Sequence, residues 1–457
     1  MFSYTDYQLH SMMFSSILSD HAIYAIPAGD LAGKADDVLQ LIYSPLTGLS
    51  LMADVADMED ISGRLEKVVL GSAGPEEEMA ALYAPQKLQN LLARTTRTEQ
   101  IRRLCILANQ RCNFACSYCY SARGRDKTEL SEKQMMAAFE WLISLQRPVE
   151  TQLTVAFIGG GEPLLSWGTI RTCIKKMARI AEEKHLKLGF LLITNGSLLT
   201  EDNILFMKRY RVNLQVSFEV LPDVQNAQRG HYERVHANLL KAQEAGLPFA
   251  LRAVITQLNL ARMSEMVQLT LQNYPSVKHL RLEPVVDSAY LCTPNAARRY
   301  YDQFYEGFTR ACEEAAPHGL NIMCTDYGNV DMLRLHYCGP QAVLTPKGLI
   351  SSCEFESDEQ DGRFRDYLYG ELRGEAVAIS EDAFERIYPS GGEAQAEKCK
   401  TCWARWNCGG GCRYRREQLG EAVFEEYCRF TRRLLRYTLV ERLCRNCIQQ
   451  GYPDPLA

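Results

Sequence analysis

The sequence predicts an α/β protein: a partial (β/α)6 barrel of the TIM type, with a small α+β domain before it and a compact cysteine-rich domain after it. Three observations carry this. Six short apolar runs alternate with amphipathic stretches between about residues 102 and 286. No cysteine occurs in the first hundred residues. The chain holds 17 cysteines, and seven of them fall between Cys338 and Cys428, where regular periodicity fades. The boundaries expected are 1–95, 96–300, 301–434 and a tail over 435–457.

In the N-terminal part, Val38–Met52 reads as strand, Pro/Gly turn and strand, with helical patterns over 56–68 and 76–93. The apolar runs of the barrel are Leu104–Ala108, Leu153–Ile158, Phe190–Ile193, Leu214–Phe218, Phe249–Ile255 and Leu280–Val286. Helical patterns lie between them at Glu132–Gln146, Ile170–His185, Asn203–Arg211, Tyr232–Ala245 and Ala261–Gln272. Such alternation implies parallel βαβ units curled into a full or partial barrel. Chemistry in these barrels sits at the C-terminal ends of the strands. A helical stretch over 297–316 leads into the cysteine-rich part, where ligands replace some of the core.

Hydrophobic residues make up 46% of the chain and charged residues 23%, ordinary for a soluble globular protein. The net charge of −5 leaves no basic footprint for nucleic acid. Met1–Asp6 lacks a basic segment leading into an apolar core, and no apolar run reaches the ~18 residues of a membrane span. A cytoplasmic protein is therefore expected. Clustered thiolates in a reducing compartment usually hold metal, which leaves zinc or iron–sulfur.

The first cluster follows the first barrel strand: Cys112-Asn113-Phe114-Ala115-Cys116-Ser117-Tyr118-Cys119. Three thiolates at CxxxCxxC spacing wrap one corner of a cubane and leave one iron open, whereas closed structural sites want four ligands. On spacing alone, buried structural cysteines or zinc stay open as alternatives. The second strand ends in Gly159-Gly160-Gly161-Glu162-Pro163. Glycine lets backbone approach a ligand, and a carboxylate there can accept from an ammonium group. Thr194-Asn195-Gly196 ends the third strand, and Ser217 lies on the fourth.

In this order the motifs resemble the radical S-adenosylmethionine (SAM) superfamily over roughly residues 100–290. The resemblance implies a radical SAM barrel in which Cys112, Cys116 and Cys119 hold a [4Fe–4S] cluster whose free iron chelates SAM. It implies that Gly160, Gly161 and Glu162 meet the SAM ammonium, that Tyr118 is the aromatic before the last cysteine, and that Asn195 and Ser217 lie near the cofactor. Arg229 takes the place of an arginine that pairs with the SAM carboxylate. Relatives commonly read Ser-Ile-Asp-Gly where this chain has Ser217-Phe218-Glu219-Val220.

Further on, Cys338 is followed by nine residues, Gly348, four residues and Cys353; then come Cys399-x2-Cys402-x5-Cys408-x3-Cys412 and Cys428. This pattern resembles the SPASM extension of radical SAM enzymes, which carries auxiliary [4Fe–4S] clusters. By that resemblance Cys399, Cys402, Cys408 and Cys428 hold a distal cluster, and Cys338, Cys353 and Cys412 a proximal one, three clusters in all. The proximal fourth ligand is either Cys324, the nearest cysteine upstream, or absent. Cys105, Cys173, Cys292 and Cys312 read as small buried apolar residues, and Cys444 and Cys447 as structural. The eight histidines show no metal-binding pairing.

The resemblance implies a peptide maturase: SAM cleavage to a 5′-deoxyadenosyl radical, hydrogen abstraction from a ribosomally made precursor, and an oxidative carbon–carbon or thioether cross-link. Glu354, next to Cys353, is the candidate acid or base. Expected partners are a precursor peptide with its leader and a flavodoxin- or ferredoxin-type reductant. The N-terminal domain is read as either a leader-recognition module or a capping subdomain. Formylglycine formation and peptide epimerisation are the alternatives within enzymes. A non-catalytic iron–sulfur electron carrier is the alternative outside them, and it would need neither an open iron nor the Gly-Gly-Glu motif.

Overall fold

The computed structural model describes residues 16–29, 39–72, 77–122, 125–148, 150–355, 362–392 and 396–449. Val38 and residue 76 of the expected N-terminal elements, and 450–457 of the expected tail, lie outside them.

A short helix α1 (Ser16–Asp20) leads into a three-stranded antiparallel sheet of β1 (Tyr24–Pro27), β2 (Leu39–Ser44) and β3 (Leu49–Asp54) in that order. The expected strand–turn–strand is β2–β3, with Gly48 at φ 75° in the turn. Helix α2 (Met58–Val69) covers the sheet through Met58, Ile61 and Leu65. The pattern over 76–93 is two helices, α3 (Glu77–Ala80) and α4 (Pro85–Leu92), because proline starts a helix readily but does not continue one.

The barrel follows as β4 (Arg103–Ile106), α5 (Glu132–Ser144), β5 (Leu153–Phe157), α6 (Trp167–Glu183), β6 (Leu188–Thr194), α7 (Glu201–Arg209), β7 (Val212–Ser217), α8 (Pro222–Gln228), α9 (Tyr232–Glu244), β8 (Phe249–Ile255), α10 (Met263–Asn273) and β9 (His279–Pro284). These six strands pair in parallel, each with its sequence neighbour. Their apolar faces meet the surrounding helices in one large core. Capping boxes at Ser131/Gln134 and Thr200/Asn203 start α5 and α7.

Helix α11 (Pro294–Ala315) returns the chain to β10 (Asn321–Met323), a short seventh parallel strand beside β9. The cysteine-rich part adds β11 (Ala342–Leu344), β12 (Leu349–Ser351), β13 (Leu368–Arg373) and β14 (Ala376–Ile379). Strand β11 pairs in parallel with β4, so all of these strands belong to one 11-stranded sheet. The expected separate metal-folded unit is thus partly an extension of the barrel. Short helices α12 (Glu381–Ile387), α13 (Arg405–Cys408) and α14 (Arg413–Leu419) precede α15 (Glu421–Gln449), which runs 29 residues across the boundary expected at 434/435. Its Leu435, Leu439 and Val440 share a core with Tyr24, Leu41 and Tyr43 of the N-terminal sheet and with Trp406.

Candidate active site

The chain leaves β4 and forms the loop that carries Cys112, Cys116 and Cys119, all partly buried. The three thiols lie close enough to act on one another's charge. Burial pushes Cys112 and Cys116 up from the usual thiol value, and cations oppose it: Arg125 acts on Cys112, and Arg229 on Cys116. Arg125 Nη2 donates to Cys119 Sγ at 3.1 Å while its Nη1 donates to the Phe114 carbonyl at 3.0 Å, pinning the loop. Guanidinium charge beside thiols favours the thiolate that a metal needs.

The glycine run meets this loop backbone to backbone. Gly161 N–H donates to Asn109 O at 2.8 Å and Glu162 N–H to Arg111 O at 2.7 Å. A Cβ at Gly161 would lie 1.7 Å from the Arg111 oxygen, so no side chain fits there. The glycines therefore let two loops touch, a requirement additional to the ligand approach expected of them. Glu162, 2% exposed, accepts from Leu164 N–H at 3.0 Å, Thr194 Oγ1 at 2.5 Å and Asn195 N–H at 2.8 Å. Burial nevertheless raises its carboxyl above the usual range. About four lone-pair directions exist on a carboxylate and three are taken, which leaves one for a further donor such as an ammonium. Asn195 Nδ2 donates to Asn113 Oδ1 at 2.9 Å, tying β6 to the cysteine loop.

Glu219 is a residue whose part the sequence left undefined. It is fully buried beyond β7, where it accepts from the Tyr118 hydroxyl and from Val254 N–H at 3.2 Å. Arg229 Nη1 donates to the same hydroxyl at 2.8 Å and stands 3.9 Å from Glu219. Burial pushes Glu219 up to about 7 against the opposing charge of Arg229. Tyr118, Glu219 and Arg229 form one buried unit. Val220 beside it holds φ 66°, a conformation that suits the glycine of the commoner motif. Ser217 ends β7, half-buried.

Inside the barrel, Arg103 Nη2 lies 3.4 Å from Glu354 Oε2, and its Nε donates to Cys105 Sγ at 3.1 Å. Burial pushes the Cys105 thiol up to about 12. Tyr120 is 37% exposed, yet burial raises its hydroxyl far above the usual value, with Glu354 next among the causes. A ring that faces a gap within the protein satisfies both observations. Tyr120 meets Phe355 edge-on at 4.7 Å, and Phe355 stacks on Tyr414 at 5.4 Å.

The C-terminal thiols fall into separate neighbourhoods. Cys408 feels the charges of Cys428, Cys402 and Cys399; Cys399 and Cys428 each feel Cys402. Cys338 feels Cys412 and Glu354. Cys338 has exposed surface, yet burial pushes its thiol up to about 12; protein crowding governs the charge and a local gap the exposure. Cys353 lies near Tyr120, Tyr367 and Tyr388. Cys324 is buried at the end of β10, and Glu283 and Asp326 are the charges acting most on it. Cys105 and Cys173 are buried as expected and Cys312 is partly so, but Cys292 is exposed, at the loop end ahead of α11.

Among the described residues no three His, Cys, Asp or Glu side chains stand close enough for a single metal ion. A cubane takes its thiolates farther apart than one ion does, and the grouped thiols with their guanidinium neighbours fit such a cluster. Arg125, Glu219, Arg103 and the strand residue Arg252 went unrecognised or unassigned in the sequence. The signal available for Arg252 was a lone charge inside the apolar run Phe249–Ile255.

Fold and site define a radical SAM domain, and residues 106–270 match the description of the radical SAM superfamily. The chain therefore carries a radical SAM domain over those residues, and that superfamily implies a [4Fe–4S] cluster and SAM. It is similar to the radical SAM cyclopropyl synthase TigE of Paramaledivibacter caminithermalis, 28% identical over 134 residues, 26% of this chain and 28% of that one. An uncharacterised protein of Methanocaldococcus jannaschii is 24% identical over 183 residues, 37% of this chain and 58% of that one. The chain thus matches less than two thirds of either relative. In fold it is similar to anSMEcpe solved with bound AdoMet, at TM-score 0.58 and 17% identity, covering 74% of this chain and 94% of that one. The same protein has been solved with AdoMet and a Cp18Cys peptide. No helix among the described residues is long and apolar enough to cross a membrane.

Proposed function

We propose that this enzyme installs an oxidative intramolecular cross-link, carbon–carbon or thioether, in a ribosomally made precursor peptide. The observation that carries the reading is that Cys338 and Cys353 flank β11 and β12, strands that continue the barrel's own sheet, with Glu354 beside both Cys338 and Arg103 of β4. The names of TigE and of the peptide-bound anSMEcpe support a peptide substrate and carbon–carbon bond formation.

Cys112, Cys116 and Cys119 would hold the SAM-binding cluster. Cys399, Cys402, Cys408 and Cys428 would hold a distal auxiliary cluster, and Cys338, Cys353 and Cys412 a proximal one, with Cys324 the only cysteine expected as its fourth ligand. When bound, these groups supply a deoxyadenosyl radical for hydrogen abstraction and acceptors for the second electron. Glu162 uses its remaining lone pair on the SAM ammonium, Arg229 offers its guanidinium to the SAM carboxylate, and Asn195 and Ser217 shape the adjoining pocket. Tyr118, pinned by Glu219 and Arg229, fixes the cysteine loop. Glu354 takes the proton released from the substrate, and Arg103, 3.4 Å away, orients it. A flavodoxin- or ferredoxin-type protein delivers the electron. The leader adds as a strand to β1 or β3, each of which, among the described residues, pairs only with β2.

Intact-peptide mass spectrometry in light and heavy water tests this. A loss of two hydrogens per deoxyadenosine is expected. Unchanged mass with deuterium uptake would show epimerisation instead, and conversion of a cysteine or serine to an aldehyde would show formylglycine formation.

A further inference from the structure

Strand β8 alternates strictly: Phe249, Leu251, Ala253 and Ile255 are buried under the helices, while Ala250, Arg252 and Val254 keep some exposure on the interior side of the barrel. Arg252 lies in register with Ser217 on β7 and with Arg281 on β9. Two guanidiniums therefore stand on neighbouring strands, a repulsive arrangement unless anions accompany them. Glu283 is the carboxylate beside them, and its oxygens are committed. Arg281 donates to Oε1 from Nε at 3.1 Å and Nη2 at 2.8 Å. Thr325 donates to Oε2 from its backbone N–H at 3.1 Å and its hydroxyl at 2.8 Å. On the far wall Glu354 is matched to Arg103.

The Arg252 guanidinium is left over: its carbonyl accepts from Phe218 N–H at 2.9 Å, but among the described residues the side chain has no hydrogen bond or ion pair. Its charge still reaches across the interior. Burial would raise Glu283, and Arg252 with Arg281 holds it low instead; the same charge reaches the Tyr120 hydroxyl on the opposite loop. An unmatched cation on the wall of a concave, partly dry chamber concentrates anions there. The SAM-directed groups Glu162 and Arg229 lie on the β5–β7 side, whereas Arg252 faces β9.

We propose that Arg252 binds a carboxylate of the peptide substrate, either an acidic side chain or the chain's C-terminus, and so sets which residue is presented for hydrogen abstraction. This rests on the peptide-maturase reading. The test uses the cluster-reconstituted, SAM-loaded enzyme titrated calorimetrically with three pentapeptides: acetyl-Ala-Ala-Glu-Ala-Ala-amide, its Gln counterpart, and the Gln peptide with a free C-terminus. At least one acidic peptide should bind about tenfold tighter than the neutral one, as a charge-assisted pair implies. Arg252→Gln should erase that preference and Arg252→Lys should restore part of it. Which acidic peptide wins distinguishes side chain from chain end. Equal binding of all three, including none, overturns the proposal. So does a loss of SAM affinity of about tenfold in Arg252→Gln, which would assign the guanidinium to SAM. The mass-spectrometric test uses the native enzyme and a precursor, so the maturase reading can fail there while a charge preference persists here.

Discussion

Among single residues, Glu219 makes the sharpest prediction. Burial places its carboxyl near 7 in the fold against 4.5 when free. A carboxyl raised by folding stabilises the fold while protonated, and that contribution is lost as pH rises through the folded value. Relative to Glu219→Gln, the native protein should therefore lose stability between pH 4.5 and about 7, by at most about 3 kcal/mol at 1.36 kcal/mol per unit. Thermal denaturation across that range checks it; parallel curves for the two proteins would refute it. Val220, a β-branched residue at φ 66°, carries backbone strain of about 1–2 kcal/mol. Val220→Gly should consequently lose less stability than Val216→Gly, an equally buried strand valine, by about that amount. The departure from the commoner motif was visible in the sequence. What it meant was not, because neither the φ of Val220 nor the burial of Glu219 follows from residue type.

Among elements, the turn between Cys408 and Cys412 is built from three glycines, Gly409, Gly410 and Gly411, all at positive φ. A Cβ at Gly409 would sit 2.6 Å from the His336 carbonyl carbon, which is backbone and cannot yield cheaply. Gly409→Ala should loosen Cys408 and Cys412 together, and reconstituted iron should fall while SAM cleavage persists; full iron content would contradict it. The barrel strands were legible because even their half-buried interior positions, as on β6 and β8, are mostly apolar, so each strand reads as an apolar run. Strands β11 to β14 were not: each has three to six residues, and β13 and β14 are mostly half-buried, so no run or alternation stands out. Helix α15 was hidden differently. It buries Glu426 and Arg436, and Arg429 and Arg433 pair with Asp302, so charge falls on its inner face.

For the whole molecule, the N-terminal sheet, read from sequence as a leader-recognition module or a capping subdomain, packs against the cysteine-rich part. Tyr43 donates to Asn407 Oδ1 at 3.0 Å, and Trp406 Nε1 donates to the Tyr24 hydroxyl at 3.2 Å. Deleting 1–95 uncovers Trp406, Leu435 and Leu439, so the truncated chain should lose thermal stability and auxiliary iron as well as peptide affinity. Iron analysis beside a melting curve separates the two effects; unchanged melting would mean the sheet only recognises peptide. Replacing Cys112, Cys116 and Cys119 together with Ala should remove about a third of the iron and all deoxyadenosine production. Retained deoxyadenosine would refute their assignment.

Strands β4 and β11 lie side by side, Cys105 in register with Val343. One ends in the loop of Cys112 to Cys119, and the other lies between Cys338 and Cys353. Electron tunnelling falls off exponentially with separation, so two redox centres joined through a loose domain hinge would exchange electrons at a rate that fluctuates with every opening of the hinge. If the loops beyond these strands hold clusters as proposed, a ladder of backbone hydrogen bonds joins the strands that lead to them. That path contains no hinge, and the gap an electron would cross is braced by the sheet itself.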